Sequence, residues 1–114
     1  MIIRELIDIL GVEIACGRSR MDDEIDYAFA SDLMSDVLTL DIPGVLLITG
    51  LANLQSVRTC EMADISAIII ARGKEITEEM IKLADDNKMI LMTCKSSMFR
   101  IAGELYSAGI KPVY

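Results

Sequence analysis

No histidine and no tryptophan occur in the sequence, and aromatic residues make up only 4% of it. The missing histidine removes the usual general base at neutral pH and the usual zinc ligand. Cysteine is sparse: Cys16, Cys60 and Cys94 form an odd set without a Cys-x-x-Cys pair, which argues against a disulfide framework. Basic residues number 11 against 18 acidic ones, a net charge of −7. Nucleic-acid binding requires dense Lys and Arg to neutralise phosphates, and anionic membrane surfaces make the same demand, so neither partner is expected. Long apolar runs are missing too. Val45-Leu46-Leu47-Ile48 and Ala67-Ile68-Ile69-Ile70-Ala71 fall far short of the ~20 residues of a membrane helix. Met1-Ile2-Ile3-Arg4-Glu5 does not begin a basic segment followed by a long apolar one, so a cytoplasmic location is expected.

What is present is apolar. Hydrophobic residues make up 53% of 114 residues and mean hydropathy is +0.44, enough for one domain with a modest core. Ile2, Ile3, Leu6, Ile9 and Leu10 have helical spacing, with Gly11 as the stop. Val12 to Cys16 and Tyr27 to Ala30 read as short strands, separated by an acidic loop from Arg18 to Asp26. Ser31-Asp32 reads as a helix start, followed by an apolar stripe of Leu33, Met34, Val37 and Leu38.

After Pro43-Gly44 a strand–helix unit repeats. Val45 to Thr49, Ala67 to Ala71 and Met89 to Thr93 read as buried strands, each followed by a helix. Leu54, Val57 and Cys60 mark the inner face of the first of these helices. Thr77 caps the second, whose inner face is Ile76, Met80, Leu83 and Ala84. Ser96 or Ser97 opens the last, with Met98, Ile101, Ala102 and Leu105 inward, and Gly109 and Pro112 end it. Strand centres at Leu46, Ile68 and Ile90 recur every 22 residues. This alternation predicts a three-layer α/β/α fold around a mainly parallel sheet of about five strands, joined by right-handed crossovers.

Several segments together resemble the DRTGG domain family, which is similar in fold to the N-terminal domain of HPr kinase/phosphorylase. They are Ala30 to Leu38, Leu47-Ile48-Thr49-Gly50, Ile68 to Gly73, and Ile76 to Cys94. The likeness runs from about Gly11 to the C-terminus and makes residues 1–114 a single DRTGG-like domain. Two motifs depart from the family: Leu51-Ala52 stand where it has Asp-Arg after Thr49-Gly50, and Arg72-Gly73-Lys74 stand for its Thr-Gly-Gly. A ligand role tied to those polar residues therefore does not carry over. The resemblance implies a small regulatory or dimerising module, and the resembling part of the HPr enzyme is non-catalytic.

The residues themselves support no phosphate loop. Gly50-Leu51-Ala52-Asn53 has one glycine, Gly73-Lys74 lacks the upstream glycine and the following Ser or Thr, and no Gly-x-Gly-x-x-Gly occurs. Gly50 reads first as a tight strand-to-helix turn. Yet in open α/β sheets ligands bind beyond the carboxyl ends of the strands. Three loops emerge there and offer Thr49, Gly50, Asn53, Arg72, Gly73, Lys74, Thr93, Lys95 and Ser96 as candidate contacts to a small anion, a nucleotide or phosphate compound. No catalytic residue, metal ligand or cofactor site is expected. The expected function is a non-catalytic regulatory module that homodimerises, senses such a ligand and serves a partner enzyme. Tyr27 to Ala30 and Ser31 to Leu38 are the candidate dimer contact. A phosphotransferase of serine-kinase type is one alternative. A thiol or metal accessory of a redox enzyme complex is another, should the strand ends at Cys16 and Cys94 meet.

Overall fold

The computed structural model describes residues 1–114. In chain order its elements are α1 (Glu5–Leu10), β1 (Glu13–Cys16), β2 (Tyr27–Ala30), α2 (Met34–Val37), β3 (Val45–Thr49), α3 (Leu54–Met62), β4 (Ala67–Ile70), α4 (Glu78–Asp86), β5 (Ile90–Thr93), α5 (Met98–Ser107) and β6 (Lys111–Pro112). One sheet has the order β1-β5-β4-β3-β2-β6. All neighbouring pairs are parallel except β1 with β5. No helix is long and apolar enough to cross a membrane.

The order explains the layers. From β2 to β3, β4 and β5 the chain steps in one direction across the sheet, so right-handed crossovers place α2, α3 and α4 on one face. After β5 the chain reverses and crosses to the far edge, which puts α5 on the other face beside α1. The packing agrees: α3 lies against α2 and α4, while α5 lies against α1, β2 and β3. Each strand alternates its side chains between the two faces. Leu46, Ile48, Ile69 and Met92 join Leu6, Ile101 and Leu105 in one core. Leu47, Ile68, Ile70 and Leu91 join Val57, Cys60 and Met80 in the other. With both faces covered, β3 and β4 are buried at every position, as their unbroken apolar sequences require.

The three-layer α/β architecture and its mainly parallel sheet agree with the sequence pattern; the sheet has six strands, and β1 alone runs antiparallel to its neighbour. β1 leaves α1 at the carboxyl edge of the sheet and runs back against β5, pairing Glu13 with Thr93. β6 was unforeseen because Pro112 reads as a helix terminator. Proline is tolerated at a sheet edge, and there β6 pairs with Tyr27 and Ala28 of β2. The apolar stripe after Asp32 makes only one helical turn. Leu33 is extended, and of the stripe only Met34 and Val37 are buried. α1 begins at Glu5, since Ile2 instead forms a bridge to Glu24. A 3₁₀ turn, Arg18–Arg20, lies within the segment read as loop.

Candidate functional site

The reversal after β5 creates the site. The loop after β4 leads to α4 on one face, and the loop after β5 leads to α5 on the other. Adjacent loops that diverge in this way leave a crevice at the carboxyl ends of their strands. The main chain stitches its floor. Arg72 and Gly73 both have left-handed backbone, φ 67° and 63°. This turn aims the Arg72 N–H at the Ser96 carbonyl and the Gly73 N–H at the Cys94 carbonyl, each at 2.8 Å. Beside the stitch lies a cleft of about 230 Å³ lined by Gly11, Glu13, Gly73, Lys74, Thr93 and Lys95.

Three cations gather at this edge without forming salt bridges. The ion pairs of the molecule join Met1 to Glu24, Arg4 to Asp22, Arg20 to Asp23 and Arg100 to Glu104. Arg72, Lys74 and Lys95 have no carboxylate within 4.0 Å, although the chain carries an acidic excess. Arg72 and Lys95 are exposed and Lys74 is half-buried. Glu13 is the one acid in the cleft lining.

The nine residues anticipated from sequence fall into two groups. Gly73, Lys74, Thr93 and Lys95 share the cleft, with Arg72 and Ser96 in the loops that form its floor. Thr49, Gly50 and Asn53 belong to the turn after β3, where their polar groups already have partners. Thr49 Oγ1 donates to Asp32 Oδ1 at 2.8 Å and accepts from the Leu51 N–H at 3.2 Å. The Gly50 N–H donates to the same Asp32 oxygen at 2.6 Å. Asn53 caps α3 by accepting from the Ser56 N–H at 3.2 Å. Lys74 links the groups, since its ammonium donates to the Gly50 carbonyl. Thr77 and Ser97 cap α4 and α5 in the same manner as Asn53, so each helix start supplies its own acceptor.

Asp32 is the residue that sequence reasoning placed in the wrong role. It caps nothing in α2. Ser31 Oγ accepts from the Leu33 N–H at 3.0 Å, and Asp32 reaches across to β3 instead. A Cβ on Gly50 would lie 3.3 Å from Asp32 Oδ2 and 3.4 Å from Lys74 Nζ. The glycine thus lets both side chains close over the turn. No spacing rule marks such a contact, because it forms between neighbouring strands and not within a helix turn.

The thiols do not meet. Antiparallel pairing sets Cys16 against Leu91, one strand length from Cys94. Cys94 donates to the Leu10 carbonyl at 3.4 Å in the core beneath α1 and α5. Cys60 is buried in the opposite core, where the lack of solvent pushes its thiol up to about 12. Burial also raises Cys16. A separate apolar groove of about 250 Å³ lies between α5 and β2, lined by Phe29, Ala30, Ile48, Tyr106, Val113 and Tyr114 among others. Phe29 and Tyr114 meet edge to face there, with centroids 6.1 Å apart.

No family model and no curated protein matches the chain. Among solved structures it is similar to the CBS and DRTGG domains of the regulatory region of Clostridium perfringens pyrophosphatase, complexed with the activator diadenosine tetraphosphate. The TM-score is 0.69 at 15% identity, over 89% of this chain and 44% of that one. The likeness at that identity is one of fold, and this chain spans less than half the length of its neighbour.

Proposed function

We propose that residues 1–114 act as a single DRTGG-like regulatory module, cytoplasmic and non-catalytic, that binds a small anionic ligand at the carboxyl edge of the sheet. The ligand is a nucleotide or phosphate compound. Arg72 and Lys95 supply its charge contacts, Lys74 and the Thr93 hydroxyl line the cleft, and Glu13 selects against ligands that crowd its side. The observation that carries this reading is the gathering of Arg72, Lys74 and Lys95, none in a salt bridge, where adjacent loops diverge in an otherwise acidic chain. The fold neighbour supports it in kind, being a regulatory region complexed with a nucleotide activator. In this reading the module self-associates and passes the ligand signal to a partner enzyme.

Thermal unfolding against nucleotides, inorganic phosphate and sulfate tests the ligand. One that binds only the folded state adds about 2.7 kcal/mol at 100 times its dissociation constant. The expected result is a saturable rise in Tm with one anion, lost in the Arg72→Ala, Lys95→Ala double variant. Both side chains are exposed and unpaired, so that variant keeps its unliganded Tm. No shift with any anion, or an equal shift in the double variant, refutes the site.

A further inference from the structure

Glycine is required where the backbone turns left-handed, and at Gly50 it does not: its φ lies outside that region. What the missing side chain leaves there is space. A Cβ built on Gly50 would lie 3.3 Å from Asp32 Oδ2 and 3.4 Å from Lys74 Nζ. Those two atoms face one point above the Gly50 Cα, yet they stay more than 4.0 Å apart and form no ion pair. Both side chains are anchored by the main chain of this one residue. The Gly50 N–H donates to Asp32 Oδ1 at 2.6 Å, and the Gly50 carbonyl accepts from Lys74. The Thr49 hydroxyl takes the other place on Oδ1 at 2.8 Å. Oδ2 is left with no donor from the chain, and the Lys74 ammonium, which has three N–H groups, gives one to Gly50.

Opposite charges held around one point, but out of contact, define what fits between them. An anion there is repelled by Asp32 and a cation by Lys74. A hydroxyl suits both, since its O–H donates to Oδ2 while its lone pairs accept from Nζ. A few tenths of an ångström of side-chain movement bring both contacts to hydrogen-bond length. On the anion-binding reading above, we infer that Asp32 and Lys74 hold a sugar hydroxyl over the bare Cα of Gly50, so that the ligand is a phosphorylated sugar, free or within a nucleotide. The placement supports it. Gly50 follows β3, and the loops carrying Arg72 and Lys95 follow β4 and β5. They lie one and two strand widths away, roughly 5 and 10 Å. A ribose phosphate spans the first distance, and a ribose diphosphate reaches the second. Lys74 joins the two parts, since it lines the cleft and sends its ammonium to the Gly50 turn. An acidic residue takes the ribose hydroxyl in dinucleotide-binding sheets by the same chemistry. Inorganic phosphate and sulfate have nothing to place over Gly50.

Titration calorimetry of the full chain tests this with two pairs of probes, each differing in its sugar hydroxyls: ADP against 2′,3′-dideoxy-ADP, and ribose 5-phosphate against inorganic phosphate. The hydroxyl-bearing member is expected to bind on the order of 10–100-fold more tightly, as for a hydrogen bond to a charged group. A preference in the first pair makes the ligand a nucleotide; a preference in the second pair alone makes it a free sugar phosphate. Gly50→Ala fills the gap with a methyl group, at a backbone angle alanine adopts, and removes no charge. This variant is expected to keep its fold and its affinity for inorganic phosphate and to lose the preference. The wild-type comparison stands without any variant. Binding by wild type without preference in either pair, or a preference that persists in Gly50→Ala, overturns the hydroxyl site and leaves the anion cleft standing. No binding of any probe, inorganic phosphate included, overturns the cleft and this inference together.

Discussion

Replacing Asp32 by alanine removes the acceptor that closes the turn after β3. Its Oδ1 takes the Thr49 hydroxyl at 2.8 Å and the Gly50 N–H at 2.6 Å. Both donors belong to buried residues, and Thr49 is 0% exposed. A hydrogen bond to a charged group contributes about 1.5–3 kcal/mol, and a buried donor left without a partner costs about 1–3 kcal/mol. Asp32 itself is exposed, so water enters at the mouth of the turn and recovers part of the loss. The net destabilisation is about 2–3 kcal/mol. At about 4 °C per kcal/mol for a domain of this size, Tm falls by roughly 10 °C. Asp32→Asn keeps the oxygen acceptor without the charge and loses about half as much. Calorimetry of the two variants and of Thr49→Val, with the Asp32→Ala, Thr49→Val double variant, completes a cycle with a coupling of about 1 kcal/mol. Zero coupling, or an Asp32→Ala shift under about 2 °C, refutes the reasoning.

Gly17→Ala tests the tightest packing around any glycine of the chain. Gly17 has φ +89°, and its Cβ would lie 2.2 Å from the Met89 carbonyl oxygen. The expected loss exceeds about 3 kcal/mol, visible as a collapsed urea midpoint, and a near-wild-type midpoint sinks the contact. Cys60 predicts an alkaline weakness. Its thiol is pushed up to about 12 by burial, so the native state holds that proton more tightly than the unfolded chain does. The contribution is therefore complete below the ordinary thiol range and is lost as pH rises towards 12, by at most about 1.4 kcal/mol per pH unit. Urea unfolding across that window should show the slope in wild type and a shallower one in Cys60→Ala; parallel curves would contradict it. Cys60 should also resist alkylation in the native protein and react on unfolding, a difference that mass spectrometry reads directly.

Strands β3, β4 and β5 were legible in the sequence because burial on both faces of a sheet leaves unbroken apolar runs. The caps Thr77 and Ser97 were legible because a cap acts over three residues. The 22-residue recurrence identified the α/β class for the same reason, since it is a local rhythm. The carboxyl-edge loops followed from the class, and with them Gly73, Lys74, Thr93 and Lys95 of the cleft. What only the tertiary structure decided depends on which strand lies beside which. The reversal after β5 sends α5 to the opposite face and opens the cleft there. The return of β1 against β5 brings Glu13 to its rim and carries Cys16 away from Cys94. The pairing of β2 with β3 turns Asp32 from a helix start into a clasp on Thr49 and Gly50, residues 17 and 18 positions further along the chain. Periodicity records whether a side chain is buried. It does not record what lies on the other side of the contact, and strand order and crossover direction supply that.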